Sequence, residues 1–83
     1  MFMKPLHQLA SGEKAYIVDM RNSMLCEKFF ELGVFPGDLL EVKENYSDNS
    51  SLLVCINNKN FNIYKEVAET VITNVVSFEI NLN

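Results

Sequence analysis

The side chains that could bind a metal ion are few and lie far apart in the sequence. His7 is the only histidine, and Cys26 and Cys55 are the only cysteines. None of them belongs to a Cys-x-x-Cys or His-x-x-x-His pair, the spacing that brings metal ligands together on one turn. We therefore expect no tight metal site and interpret His7 as a surface residue. The alternative is weak metal contact of His7 together with Glu13 or Asp19.

No set of residues in the sequence indicates catalysis. His7 has no nucleophile and no orienting acid beside it, and the glycine-containing turns lack the Gly-x-x-x-x-Gly-Lys spacing that holds phosphates. We interpret the two cysteines as small apolar residues in or near the core, with a soft metal shared between them as the alternative. We expect a protein without enzymatic activity and without a cofactor.

Length and charge exclude several classes of function. The chain has 83 residues and a formal net charge of -4, with Arg21 as its only arginine. A chain this short forms one domain, here residues 1–83, with no room for an internal substrate chamber. Its acidity disfavours nucleic acids and anionic membranes as partners. Two cysteines, no long apolar run and no signal peptide predict a reduced, cytoplasmic protein.

Periodicity and turn residues predict the elements that position any functional side chain. Apolar residues at helical spacing, Leu25, Phe29 and Leu32, predict one amphipathic helix that Gly33 ends. Alternating residues predict short strands, and about five strands with one helix after the first of them indicate a mainly β, partly open barrel. In chain order we predict a helical turn at Pro5–Leu9, a strand at Lys14–Met20, the helix at Met24–Leu32, a strand at Leu39–Asn45, a hairpin of Leu52–Asn57 and Asn60–Tyr64, a turn of helix at Lys65–Glu69 and a strand at Thr70–Thr73.

Aromatic residues on turns are the best candidates for binding. Phe35 lies between Gly33 and Gly37, where Pro36–Gly37 predicts a type II turn, while Tyr46 and Tyr64 fall at predicted loop and strand ends. Loops on a rigid scaffold concentrate binding residues, and aromatic side chains are favoured anchors at protein interfaces. The alternative is that Phe35 closes the end of the barrel and the tyrosines cover the edges of the core.

The C-terminal segment has the cleanest two-residue alternation in the chain. Val76, Phe78, Ile80 and Leu82 alternate with polar residues, which predicts a last strand with one buried face. The alternative is that the open edge of Val76–Leu82 pairs with a second copy of the chain or with a partner.

The order and spacing of these segments resemble the FeoA family, small SH3-like barrel proteins of bacterial ferrous-iron uptake. The block Lys28–Gly37 resembles the family's helix followed by Leu-Gly, two apolar residues and Pro-Gly, and the resemblance extends over roughly Leu6–Val76. The sequence departs from the family in two places. Tyr64 stands where the family usually has arginine, and the loop Ser47–Ser50 lacks a frequent Asp-Pro.

The resemblance implies a cytosolic accessory or regulatory protein that docks on the cytoplasmic GTP-binding domain of the FeoB permease, without catalysis of its own. We expect Phe35, Tyr46 and Tyr64 to anchor the partner, with Asp48 and Lys65 as the polar rim. One alternative is a transient carrier or sensor of Fe(II) that uses the histidine, a cysteine and carboxylates. A second is a free-standing relative of the SH3-like domain of metal-dependent repressors that binds a proline-rich peptide.

Overall fold

The computed structural model of the chain describes residues 2–46 and 50–76. Within them, six strands form one antiparallel sheet in the order β1-β6-β2-β3-β4-β5, and the sheet is not closed. The strands are β1 (Phe2–Pro5), β2 (Lys14–Met20), β3 (Leu39–Asn45), β4 (Ser51–Ile56), β5 (Lys59–Tyr64) and β6 (Val71–Val75). Helix α1 (Ser23–Glu31) follows β2, helix α2 (Lys65–Ala68) follows β5, and a short 3₁₀-helix (Leu6–Gln8) follows β1. This architecture confirms the predicted mainly β, partly open SH3-like barrel.

The strand count differs from the prediction because β1 is not among the predicted strands. Phe2–Pro5 is only four residues long and ends in proline, so it carries no readable alternation. It becomes a strand by pairing with β6, from Phe2 opposite Val75 to Pro5 opposite Ile72, at the far end of the chain. Helix α1 therefore follows the second strand of the fold and not the first.

The hairpin is confirmed, with its turn shifted by one residue from Asn58–Lys59 to Asn57–Asn58. Both asparagines have positive φ, 53° and 63°, the left-handed conformation that a two-residue hairpin turn requires. The pairing then runs without a shift from Ile56 opposite Lys59 to Ser51 opposite Tyr64. The hairpin is therefore a regularly paired ribbon with a turn end and an open end.

Strand β6 is one residue longer than predicted and reaches Val75. Val76, the last described residue, donates its N–H to the carbonyl oxygen of Lys14 at 2.9 Å. The rest of the predicted last strand, residues 77–82, lies outside the described residues.

The core lies between the inner face of the sheet and the helices. Phe29 on α1 is only 2% exposed, and its ring packs against Phe61 of β5 with centroids 5.1 Å apart. Leu6 and Leu9, on and directly after the 3₁₀-helix, are fully buried beside Ala68 of α2 in the same cluster. The two ends of the barrel are thus filled by α1 on one side and by the 3₁₀-helix with α2 on the other.

Helix α1 begins and ends as the sequence predicts, within one residue. The Asn22 side chain accepts a hydrogen bond from the Leu25 N–H at 3.0 Å and caps the first turn. Gly33, at a φ of 78°, ends the helix, and Val34 N–H then returns to the Phe29 carbonyl at 2.8 Å. No helix in the described part of the chain is long and apolar enough to cross a membrane.

Asn45 at the end of β3 holds the N-terminal segment in place. Its side-chain amide donates to the carbonyl oxygens of His7 at 3.2 Å and Leu9 at 2.6 Å. Its own backbone N–H donates to the Ser11 hydroxyl at 2.9 Å. These contacts join segments more than thirty residues apart, so the position of the buried leucines depends on them.

We expect Asn45→Ala to lower the free energy of unfolding by about 1–3 kcal/mol, because two partly buried carbonyls lose their donor. Urea denaturation measures the change. The neighbouring Glu44→Ala, at an exposed position, is the matched control and should shift stability by less than about 0.5 kcal/mol. Equal losses in the two variants would contradict the role of Asn45.

Candidate protein-docking surface

The loop Gly33–Asp38 between α1 and β3 is attached to β2 through its backbone. Gly37 N–H donates to the carbonyl oxygen of Ile17 at 2.7 Å, and Ile17 N–H donates to that of Asp38 at 2.9 Å. Gly37 has a φ of 99°, which glycine adopts without the steric cost that a Cβ brings. The predicted Pro-Gly turn is therefore a tight connection bound to a central strand.

Asp38 clamps the same loop from the side. Its Oδ2 accepts hydrogen bonds from the Phe35 N–H at 2.9 Å and from the Asn57 side-chain amide at 3.2 Å. The Asn57 amide also donates to the Gly33 carbonyl at 3.2 Å, and Lys59 Nζ donates to the Leu32 carbonyl at 3.0 Å. The turn end of the β4–β5 hairpin thus holds both the end of α1 and the loop.

Two phenylalanine rings lie exposed on this rigid support. Phe30 and Phe35 are 45% and 48% exposed, and their rings stack with centroids 5.1 Å apart and planes 23° from parallel. We call this pair the aromatic knuckle. Large apolar side chains that are both exposed and fixed in position are typical of sites where another protein binds.

An open depression of about 420 Å³ adjoins Phe30. Its lining combines apolar side chains with one charge of each sign, and it runs from the end of β2 onto α1. The lining residues are Met20, Arg21, Ser23, Cys26, Glu27 and Phe30. The knuckle and the depression together form a continuous surface on the outer side of α1.

The predicted residues Tyr46, Tyr64 and Lys65 lie together at the other end of the hairpin. Lys65 Nζ donates to the carbonyl oxygen of Tyr46 at 2.6 Å, and the Lys65 N–H donates to that of Ser50 at 2.6 Å. Tyr64 is 64% exposed and pairs with Ser51 at the open end of the ribbon. The two tyrosines and the lysine therefore form a second patch.

The structure separates the predicted contact residues into two groups. Phe35 lies at the turn end of the hairpin, and Tyr46, Tyr64 and Lys65 lie at its open end, roughly 17 Å away along five residues of strand. Asp48 lies outside the described residues. The exposed ring of Phe30 is not predicted from the sequence, because its exposure depends on how α1 is rotated against the sheet.

Of the candidate metal ligands, the two carboxylates have other partners, whereas His7 is half-buried rather than a surface residue and its Nδ1 has no hydrogen-bond partner among the described residues. Glu13 Oε1 accepts from the Ala10 N–H at 2.7 Å and lies 3.9 Å from Lys4 Nζ, and Asp19 lies 3.5 Å from Arg21. Residues 2–46 and 50–76 contain no group of three or more histidine, cysteine or acidic side chains that could hold a metal ion. Both cysteines are free thiols and half-buried.

These features define a small SH3-like barrel that presents a fixed aromatic surface. The FeoA domain family matches residues 4–74, and the chain belongs to the FeoA family, which confirms the resemblance noted in the sequence. A search of curated protein sequences gives no match.

Solved structures agree with the family match. The crystal structure of an iron uptake regulatory protein, FeoA, has a TM-score of 0.77 at 22% identity and covers 92% of this chain and 100% of its own. The solution structure of iron(II) transport protein A from Clostridium thermocellum has a TM-score of 0.77 at 26% identity, over 88% of this chain and 46% of its own. A manganese-dependent transcriptional repressor, with a TM-score of 0.79 at 12% identity over 89% of this chain and 42% of its own, shares the fold.

We expect Asp38→Ala to lower the free energy of unfolding by about 1–3 kcal/mol and to speed amide exchange at Phe35, because the clamp loses its charged acceptor. Asp38→Asn is the matched control: it keeps an acceptor oxygen and should lose less on both measures. Urea denaturation and amide exchange followed by NMR give the two readouts. An unchanged exchange rate at Phe35 in the alanine variant would show that Asp38 does not hold the loop.

Proposed function

We propose that this protein is a cytoplasmic accessory or regulatory component of ferrous-iron uptake that docks on the GTP-binding domain of a FeoB-type permease. Membership of the FeoA family supports this proposal, as do related structures named as iron uptake and iron(II) transport proteins. The aromatic knuckle and the adjoining depression form the contact surface. The protein acts by binding and carries no reaction of its own.

The stacking of Phe30 on Phe35 is the observation that carries the proposal. Binding normally loses free energy in ordering the side chains and loops of the interface. Here the rings are already stacked at 5.1 Å, and the Asp38 carboxylate and the Ile17 backbone already hold their loop. A partner pocket that receives these rings buries apolar area with little ordering cost.

The surroundings of the knuckle suit a protein partner in particular. Arg21 and Glu27, both exposed, lie at the depression and supply the polar rim that surrounds the apolar centre of most interfaces. The net charge of -4 disfavours nucleic acid and anionic lipid at the same surface. A folded domain with an apolar pocket and mixed charges around it is the partner that fits.

Within this proposal the knuckle is the principal anchor, and Tyr46, Asp48, Tyr64 and Lys65 are outer contacts. The two groups differ in how firmly their side chains are held. Phe35 stacks on Phe30 and its loop is held by Asp38, whereas no ring contact holds Tyr64 among the described residues. Anchors that dominate an interface are well packed and central, and the contacts around them contribute less.

We expect Phe35→Ala to weaken binding of the permease's purified GTP-binding domain by about 30-fold, the effect of losing one anchor worth about 2 kcal/mol. Calorimetry or biolayer interferometry measures the dissociation constant. Tyr64→Ala is the matched control, an exposed aromatic residue on the second patch, and should weaken binding by less than about threefold. Because Phe35 is half exposed, circular dichroism and urea denaturation should show a folded variant.

Two results would overturn the assignment. Undiminished binding by both Phe35→Ala and Phe30→Ala would exclude the knuckle as the anchor. A large loss in Tyr64→Ala with none in Phe35→Ala would move the contact to the open end of the hairpin.

A further inference from the structure

Among residues 2–46 and 50–76, strand β5 leaves one edge of the sheet without a paired strand. It is the last strand in the sheet order and pairs on one side only, with β4. Between Lys59 and Tyr64 no described residue from another element donates to or accepts from its backbone on the other side. A row of free N–H and C=O groups of this kind is a template for another strand.

The register of the hairpin identifies which backbone groups point outward. In a two-residue hairpin the residues that flank the turn, here Ile56 and Lys59, exchange hydrogen bonds with each other. The pairing continues unshifted along the ribbon, so every second residue of β5 directs its backbone away from β4. These residues are Asn60, Asn62 and Tyr64, and all three are exposed.

The opposite edge of the sheet is protected, and β5 is not. Strand β1 has only four residues, with Lys4 and Pro5 at its end, and lysine, proline and short length are the devices that block unwanted strand pairing. Strand β5 has six residues, no proline and no bulge, and its one lysine, Lys59, lies at the turn end, where its ammonium group donates to the Leu32 carbonyl. The contrast between the two edges of one sheet indicates that the β5 edge is kept available.

Positive charge flanks this edge at both ends. Lys59 is the first residue of β5 and Lys65 follows its last residue as the first residue of α2, so the two are six residues apart, about 20 Å of extended chain. Their ammonium groups contact only carbonyl oxygens, those of Leu32 and Tyr46, and no carboxylate within residues 2–46 and 50–76 pairs with them. On a chain of net charge -4, this edge is a local site for a ligand with negative charge at its ends.

We infer that the β5 edge binds an extended segment of another protein, added as a strand, with acidic residues at both ends and neutral residues between them. Backbone hydrogen bonds to Asn60, Asn62 and Tyr64 supply the affinity, and the two lysines select the flanking acids. A second copy of this chain fits less well, because symmetric antiparallel pairing about Asn62 places Lys59 opposite Lys65 of the other copy. The inference is independent of docking through the knuckle.

The probe is the capped peptide Glu-Thr-Val-Thr-Val-Thr-Glu, titrated into the uniformly ¹⁵N-labelled full chain at low salt. We expect the largest amide shifts and the greatest slowing of amide exchange at Asn60, Asn62 and Tyr64. A peptide with both glutamates replaced by lysines should bind at least fivefold more weakly, and added salt should reduce that difference.

A matched pair of variants isolates the backbone contact. Asn62→Pro removes one outward N–H without touching the ladder to β4, and should weaken peptide binding at least tenfold. Asn62→Ala removes the side chain and keeps the N–H, and should bind within threefold of the unaltered chain. If the proline variant does not fold, two measurements on the unaltered protein still test the inference. They are the positions of the amide shifts and the weaker binding of the peptide with lysines in place of both glutamates.

Several outcomes would overturn the inference. They are no amide shift at about 1 mM peptide, shifts confined to residues 30–38, equal binding of the two peptides, or undiminished binding by a folded Asn62→Pro variant. Protection of the β5 amides in a dimer without peptide would assign the edge to a second copy instead. Phe35→Ala should leave peptide binding unchanged, so failure here and failure of the permease proposal are distinguishable.

Discussion

Burial of Phe29 is the constraint on which the surface of this protein depends. Neighbouring residues on a helix point about 100° apart, so placing Phe29 against Phe61 turns the Phe30 ring outward, where it is 45% exposed. Helix α1 is only nine residues long. It packs the side that carries Phe29 against the sheet and leaves the other side exposed. The core contact and the exposed knuckle are therefore consequences of one helix orientation.

Local signals in the sequence predict the elements well. The helical spacing around Phe29, the end at Gly33 and the Pro36–Gly37 turn each depend on a few neighbouring residues, and all are confirmed within one residue. Strand β1 is missed because its conformation comes from pairing with β6. The clamp of Asp38 by Asn57 is missed for the same reason, since nineteen positions separate the two residues and no local pattern joins them.

The candidate site is predicted less completely than the fold. Phe35 is recognisable because two glycines enclose it on a turn, but its partner Phe30 has the same spacing as a core residue. The tyrosines and Lys65 are correctly placed at element ends, yet only the pairing of β4 with β5 shows that they lie at the opposite end of the ribbon from Phe35. In a chain of 83 residues most of the other residues form the barrel and its helices, so the residues available for binding a partner lie on its surface.

Mapping the complex at residue level shows whether the permease domain binds the aromatic knuckle. The ¹⁵N-labelled chain is titrated with the purified GTP-binding domain of the permease, and amide shifts and line broadening are followed by NMR. We expect the strongest changes on residues 30–38 and on the depression beside Phe30. Changes confined to the open end of the hairpin, around Tyr46 and Tyr64, or no change at all, would contradict this expectation.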